Sequence, residues 1–340
     1  AIGDPRPKPS SPCHNGSMRH RTFGRLGWPV SEIGYGMWGL VGWTGSDEAE
    51  VRQALQRAVD LGINFFDTAW AYGDGRSERM LGELVRANPG KKLWTASKIP
   101  AKNFRWPARA EYPLEETYPP DHIRRYTEWS LQNLGLPSLD LMQFHVWHDN
   151  WARDARWQRE VEKLKEEGLV KAWGISINRW EPENALLALE TGLIDAVQVI
   201  YNLFDQNPED ELFPRCRELG VAVIARVPFD EGSLTGTLTP DTTFPEGDWR
   251  NRYFSKENLI PTLERVERLK ADLPEGMTLP KLALRFILQN PDVSTVIPGM
   301  RRVRHVEANA AVSGLEPLPE DLMARLRKHR WVRRPAHWSD

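Results

Sequence analysis

Two residues able to handle a proton stand five positions apart in Asn64-Phe65-Phe66-Asp67-Thr68-Ala69-Trp70-Ala71-Tyr72-Gly73. A free phenol titrates near ~10 and is a poor acid at neutral pH, so Asp67 and Tyr72 do no chemistry without a cation beside them. Two other stretches offer one. The apolar run 93–97 ends on Lys98, and the run 139–144 ends on His145. Apolar positions 63, 65 and 66 likewise read as a short buried strand that exits at Asp67, with Tyr72 on the loop beyond. If these strands are neighbours in a parallel sheet, then Asp67, Tyr72, Lys98 and His145 meet on one rim.

The elements that must position them alternate strand and helix. A glycine-centred hairpin is expected over 21–30. Strands follow near 33–35, 63–67, 93–97, 139–144, 170–175, 196–200, 221–225 and 293–297. Helices are expected after the N-cap Ser46, then near 77–86, 121–134, 154–167, 182–190, 209–219, 258–272, 279–289, 302–313 and 319–329. Eight strand–helix units favour a (β/α)8 TIM barrel with an N-terminal hairpin and two extra helices, all one domain over 18–340. In such a barrel active sites lie at the C-terminal strand ends, where the four residues fall. Residues 1–17 are rich in Pro, Ser and Gly and read as a disordered leader, natural or left by a cloning junction at Gly16-Ser17-Met18. An open doubly wound sheet is the alternative. Gly34-Tyr35-Gly36-Met37-Trp38-Gly39 matches the dinucleotide fingerprint, yet Leu40 to Gly45 separates it from any helix.

Composition narrows the functional classes. With 340 residues, 40% hydrophobic, the chain can bury a large core. A net charge of -2 provides no field for nucleic acid or an anionic membrane. No apolar run approaches the ~18 residues of a membrane span. Cys13 and Cys216 lie far apart, which suggests no disulfide framework and a cytoplasmic setting. His148 follows His145 closely, but the remaining histidines are poorly placed to complete a metal site, so no metal is expected.

The chain resembles the aldo-keto reductase superfamily over most of residues 18–330. The matching segments are Gly34-Tyr35-Gly36-Met37-Trp38-Gly39, Phe66-Asp67-Thr68-Ala69-Trp70-Ala71-Tyr72-Gly73, Lys98, His145, Gly174-Ile175-Ser176, Gln198 and Ile297-Pro298-Gly299. The resemblance implies reversible hydride transfer from NADPH to an aldehyde or ketone. Asp67, Tyr72, Lys98 and His145 would form its tetrad, with Tyr72 as general acid, Lys98 lowering its pKa, and His145 orienting the carbonyl oxygen. It leaves an alternative of another class, a cofactor-binding redox-sensing subunit with slow or no turnover.

The same resemblance implies a cofactor groove containing Gly36, Met37 and Trp38. Ser176, Asn178 and Gln198 would hold the carboxamide and Tyr201 would stack on the nicotinamide. Asn178 enters because Ile177 occupies the usual asparagine position. Pro228, Phe229, Gly232, Leu234 and Gly236 resemble a loop that closes over the pyrophosphate, although Asp230 replaces a common glycine and, with Glu231, adds acid there. Gly299, Arg301, Arg302 and His305 enter a helix N-terminus suited to a 2′-phosphate, and Asn309 would meet the adenine. Trp38, Trp70, Trp147 and Phe229 would wall an apolar substrate pocket, with loop 99–118 and Trp249 as lids. The expected partner is a small carbonyl compound, and the expected assembly a monomer or modest homo-oligomer.

Overall fold

The computed structural model describes residues 17–42 and 46–339. The leader expected over 1–17 lies outside these residues, apart from Ser17. A hairpin of β1 (His20–Phe23) and β2 (Trp28–Ser31) precedes eight parallel strands. These are β3 (Tyr35–Gly36), β4 (Phe65–Asp67), β5 (Trp94–Ile99), β6 (Leu139–Phe144), β7 (Val170–Ser176), β8 (Ala196–Ile200), β9 (Ala222–Arg226) and β10 (Thr295–Val296). Each pairs with its neighbour in chain order. Parallel bridges from Ile33 to Val296 and from Gly36 to Gly299 close the sheet into the expected barrel. The seam is tight: a Cβ on Gly36 would lie 2.6 Å from the Ile297 carbonyl oxygen. Gly36 therefore joins first strand to last, and the fingerprint reading of 34–39 gives way to barrel closure.

Strand alternation sorts side chains into two layers. Phe65, Ala96, Leu141, Ala172, Ala196, Ala222 and Ile224 point inward and pack with Phe23 and Val30, so the hairpin plugs the N-terminal end of the barrel. Phe66, Met142, Phe144, Trp173, Ile175, Val197, Val199, Val223 and Ala225 point outward into the core beneath the helices. Small alanines on four strands, Ala96, Ala172, Ala196 and Ala222, leave room for the plug at that end. Two steps further along β4, β5, β6 and β8, the inward residues are polar: Asp67, Lys98, Gln143 and Gln198.

Helix starts follow local chemistry. Asp47, rather than Ser46, caps Glu48–Asp60 by accepting from the Ala49 and Glu50 amides. Asp154 caps Ala155–Glu166, and Thr278 caps Leu279–Leu288. The helix expected over 182–190 shortens to Leu186–Leu189, because the Asp149 carboxylate holds the Leu187 and Ala188 amides at the start of that turn. Among the described residues, Lys256–Lys270 and Glu320–Arg327 are the longer helices outside the eight-unit repeat, and Leu114–Thr117 and Arg250–Tyr253 are single turns beside it.

Candidate active site

The inward phase of three adjacent strands carries Asp67, Lys98 and Gln143, one alternation above Phe65, Ala96 and Leu141, and His145 continues the β6 series just past that strand's end. Tyr72 reaches the same point from the turn after β4. That turn is fixed by the Thr68 hydroxyl on Ser77 (2.7 Å) and the Gly75 amide on the Trp70 carbonyl (2.8 Å). Gly73 has φ +66°, and a Cβ there would meet Val41 at 2.8 Å. Lys98 Nζ sits at the centre. It donates to Asp67 Oδ2 at 2.6 Å, to the Thr68 carbonyl at 2.9 Å and to Tyr72 Oη at 3.1 Å. Asp67 Oδ1 accepts from both Gln143 Nε2 and Gln198 Nε2 at 2.9 Å. Tyr72 and His145 meet edge to face, ring centroids 5.8 Å apart.

The electrostatics follow from this burial. Burial raises the Tyr72 phenol above its ordinary value, and Lys98 pulls it back. Burial alone would lower Lys98, but Asp67 and the phenol oxygen hold it above the usual lysine value, so it stays charged. Burial, Lys98 and Arg226 drive His145 well below the ordinary histidine range. It is therefore a neutral imidazole with a single N–H, suited to donating to an oxygen rather than to carrying charge.

The chain also matches known proteins. The profile of the Aldo/keto reductase family covers residues 32–330. The chain belongs to that family. This aldo-keto reductase is 30% identical over 288 residues to the aldo-keto reductase yakc [NADP(+)] of Schizosaccharomyces pombe, covering 82% of this chain and 83% of that one. It is 27% identical over 307 residues to the NADH-specific methylglyoxal reductase of Escherichia coli, covering 86% and 93%. Among solved structures, the holo form of AKR11C1 from Bacillus halodurans superimposes with a TM-score of 0.74 at 25% identity, covering 95% of this chain and all (100%) of that one. The glycerol dehydrogenase AKR11B4 of Gluconobacter oxydans gives 0.74 at 27%, covering 92% and 94%.

Around the tetrad, the aldo-keto reductase departs from several expectations. Tyr201 follows Ile200 on β8 and so falls in the outward phase. Its ring packs against Phe213 and Phe286 and its hydroxyl bonds Glu209, leaving no face for a nicotinamide. The inward residue at that height on the next strand is Arg226, which the sequence reading missed. Trp147 is also turned away. It is fully buried, stacked on outward-facing Phe144 at 5.2 Å, with Nε1 on Asp149, so it walls no pocket. Trp106 takes its place, edge-on to His145 at 5.5 Å. Trp38 (44% exposed) lies on the rim against Trp249. Trp70 is half-buried beside Tyr126 at 4.9 Å, and Phe229 is half-buried against the core.

Asn178 has its amide engaged elsewhere. Its oxygen accepts from the Ala108 amide (3.2 Å) and its nitrogen donates to the Ala108 carbonyl (2.9 Å), which pins loop 99–118 beside the mouth. Ser176 occupies an inward position at the top of β7, and Gln198 lies one strand away. Met37 is buried, with its amide on the Asp67 carbonyl (2.9 Å). His148 accepts from the Asn150 amide as a local cap.

The loop after β9 is built from left-handed backbone: Val227 (φ 55°), Asp230 (46°), Glu231 (58°), Gly232 (109°) and Gly236 (75°). Such non-glycine conformations persist when surroundings over-determine them. Here the two acids supply the restraint. Asp230 accepts from Arg333 Nη2 (2.8 Å), Ser233 (2.7 Å) and Tyr253 (3.2 Å). Arg333 also pairs with Asp205, while Glu231 pairs with Arg179. Both carboxylates thus have cation partners, which answers the expected clash with a phosphate. Pro228 and Leu234 are buried, and the Leu234 amide bonds the Phe229 carbonyl, so Leu234 shapes the loop from beneath.

At the opposite edge, Gly299 is exposed and Val303–Ala310 begins just beyond Arg302. Arg301 is lowered by partial burial and by its neighbours Arg250 and Arg302. His305 is lowered by burial and by Arg304, Arg302 and Arg301. Like charges crowded at a helix start fit a multiply charged anion. Asn309 is buried on the same helix.

Proposed function

We propose that this chain reduces an aldehyde or ketone to an alcohol with NADPH, reversibly. The observation that carries the reading is the Lys98 ammonium held between Asp67 (2.6 Å) and the Tyr72 hydroxyl (3.1 Å). A phenol hydrogen-bonded to a buried, anchored cation is a general acid whose conjugate base is stabilised in advance. His145, neutral and beside Tyr72, donates to the carbonyl oxygen and fixes its position. Tyr72 then delivers its proton to that oxygen, and Lys98 stabilises the phenolate left behind. In the oxidative direction the phenolate takes the proton back. When bound, the reduced nicotinamide supplies the hydride received by the carbonyl carbon.

The residues fit that cofactor at both ends. Ser176 at the inward tip of β7 and the Oε1 of Gln198, whose Nε2 is held by Asp67 and Gln143, serve the carboxamide, the backbone of Gly232 and Gly236 serves the pyrophosphate, and Asn309 serves the adenine. NADPH is favoured over NADH by Arg301 and Arg302, two guanidinium groups crowded beside His305 where a 2′-phosphate would relieve their repulsion. The relatives differ in this respect by name, one being NADH-specific and one carrying NADP(+). Trp38, Trp70, Trp106 and Phe229 supply the apolar walls for a small carbonyl compound.

The test is a titration of NADPH and NADH against tryptophan fluorescence, followed by an aldehyde and ketone panel with Tyr72→Phe as control. The variant should bind NADPH as the parent does while turnover falls by about 10²–10⁴. NADPH binding with turnover that survives Tyr72→Phe would refute the assignment of the acid.

A further inference from the structure

Among the described residues, Arg226 stands at the mouth in no ion pair, whereas the cations nearest it are paired. Lys98 is paired with Asp67, Arg179 with Glu231, and Arg333 with Asp205 and Asp230. Among the described residues the Arg226 guanidinium makes one hydrogen bond, from Nη2 to the Ile177 carbonyl at 3.0 Å, and its Nε has no partner. Arg226 ends β9 in the inward phase, after Ala222 and Ile224. Its charge acts on Tyr72 and on His145. Burial and Arg179 pull the guanidinium down to about 10, and Glu231, Tyr72 and Asp67 offset only part of that.

A half-buried guanidinium left without a carboxylate is costly, and its planar fork matches a carboxylate through two parallel hydrogen bonds. The rim beside it is aromatic: Trp38, Phe104 and Trp106 are each more than 40% exposed. Resting on the reading that this site reduces a carbonyl, we propose that Arg226 is a specificity residue that binds a carboxylate on the substrate, so that the preferred substrates are anionic carbonyl compounds with an apolar, aromatic-compatible body. The phosphates of the cofactor are the competing anion. Arg226 lies in the phase that faces Tyr72 and His145, where the carbonyl must sit, and this favours the substrate.

The experiment compares 4-carboxybenzaldehyde with benzaldehyde in the parent, Arg226→Gln and Arg226→Lys, and measures benzoate and benzamide binding to the cofactor-loaded protein by fluorescence. The parent should favour the carboxylated aldehyde at least about tenfold in kcat/KM, and benzoate should bind at least about tenfold more tightly than benzamide. Arg226→Gln should erase both ratios, whatever its absolute rate, and Arg226→Lys should restore part of them. Equal handling of the two aldehydes by the parent, or ratios that survive Arg226→Gln, overturns the proposal. So does a weakened NADPH affinity in Arg226→Gln with both ratios unchanged, which would assign the guanidinium to the cofactor. Should neither aldehyde turn over, the carbonyl-reductase reading is what fails, and the benzoate-to-benzamide ratio still decides the anion site. A variant that does not fold leaves the parent's two ratios as the deciding measurement.

Discussion

Lys98→Met separates what the buried lysine does for the fold from what it does for Tyr72. In the parent, Nζ is almost fully buried and joins Asp67 Oδ2, the Thr68 carbonyl and Tyr72 Oη. Methionine keeps the length and apolar stem but leaves the Asp67 carboxylate without its cation. Breaking a buried ion pair from one side costs about 3–5 kcal/mol. The Gln143 and Gln198 amides still hold Oδ1, which places the loss toward about 3 kcal/mol. At roughly 2 °C per kcal/mol for a chain of this size, thermal unfolding should fall by about 6 °C or more. The double variant Asp67→Asn, Lys98→Met removes the stranded charge and should recover about half of that loss. Turnover should not recover, since the phenolate loses a charge-assisted hydrogen bond of about 1.5–3 kcal/mol in both variants, at least about 10–100-fold in rate. Calorimetric melting paired with loss of NADPH absorbance reads both quantities. An unchanged melting temperature in Lys98→Met, or a double variant no more stable than the single, would refute the stranded-carboxylate reasoning.

Arg333→Met should destabilise by about 3–5 kcal/mol, because Asp205 and Asp230 lose their shared cation while buried; limited proteolysis should then cut the 227–236 loop first, and cutting confined to other loops would count against that restraint. His145 titrates lower in the folded chain than unfolded, so folding disfavours its protonation. Its share of stability is intact above ~6.5 and is lost as pH falls below that value. Melting temperature against pH should therefore be less acid-sensitive in His145→Asn than in the parent, and the parent's reduction rate should show no acid limb near ~6.5. An acid limb there would mean that His145 works in its charged form.

The tetrad was legible because its members mark strand tips or a tight turn just beyond one, and a strand tip is visible in a sequence as a charged residue ending an apolar run. Tyr201 and Trp147 were misread for a related reason. Position 201 is one step out of phase with inward Gln198 and Ile200, and position 147 lies past a bend that swings its ring over Phe144. Neither the phase nor the bend is visible in a residue's type. Arg226 was within reach of the sequence, since 222, 224 and 226 continue one inward series. Family resemblance instead drew attention to an aromatic. Asp230 and Glu231 could not be read locally, because their counter-charges come from Arg333 in the tail and Arg179 two strands earlier. The hairpin, the eight parallel strands and most helices were readable from periodicity. The shortened helix at 186–189 was not, since Asp149 sets its start from another loop.

The pairing of Asp230 with Arg333 spans 103 residues, and it has a consequence for how the protein is made. A ribosome adding roughly 5–20 residues per second delivers the arginine about 5–20 s after the aspartate. Asp205 and Asp230 emerge first, and until the tail follows they are better kept in water than buried unpaired. The left-handed turn from Val227 to Gly232 therefore has no reason to settle against the barrel before Arg333 has been added. The segment proposed to cover the cofactor thus takes its final shape only after an arginine made 103 residues later has arrived.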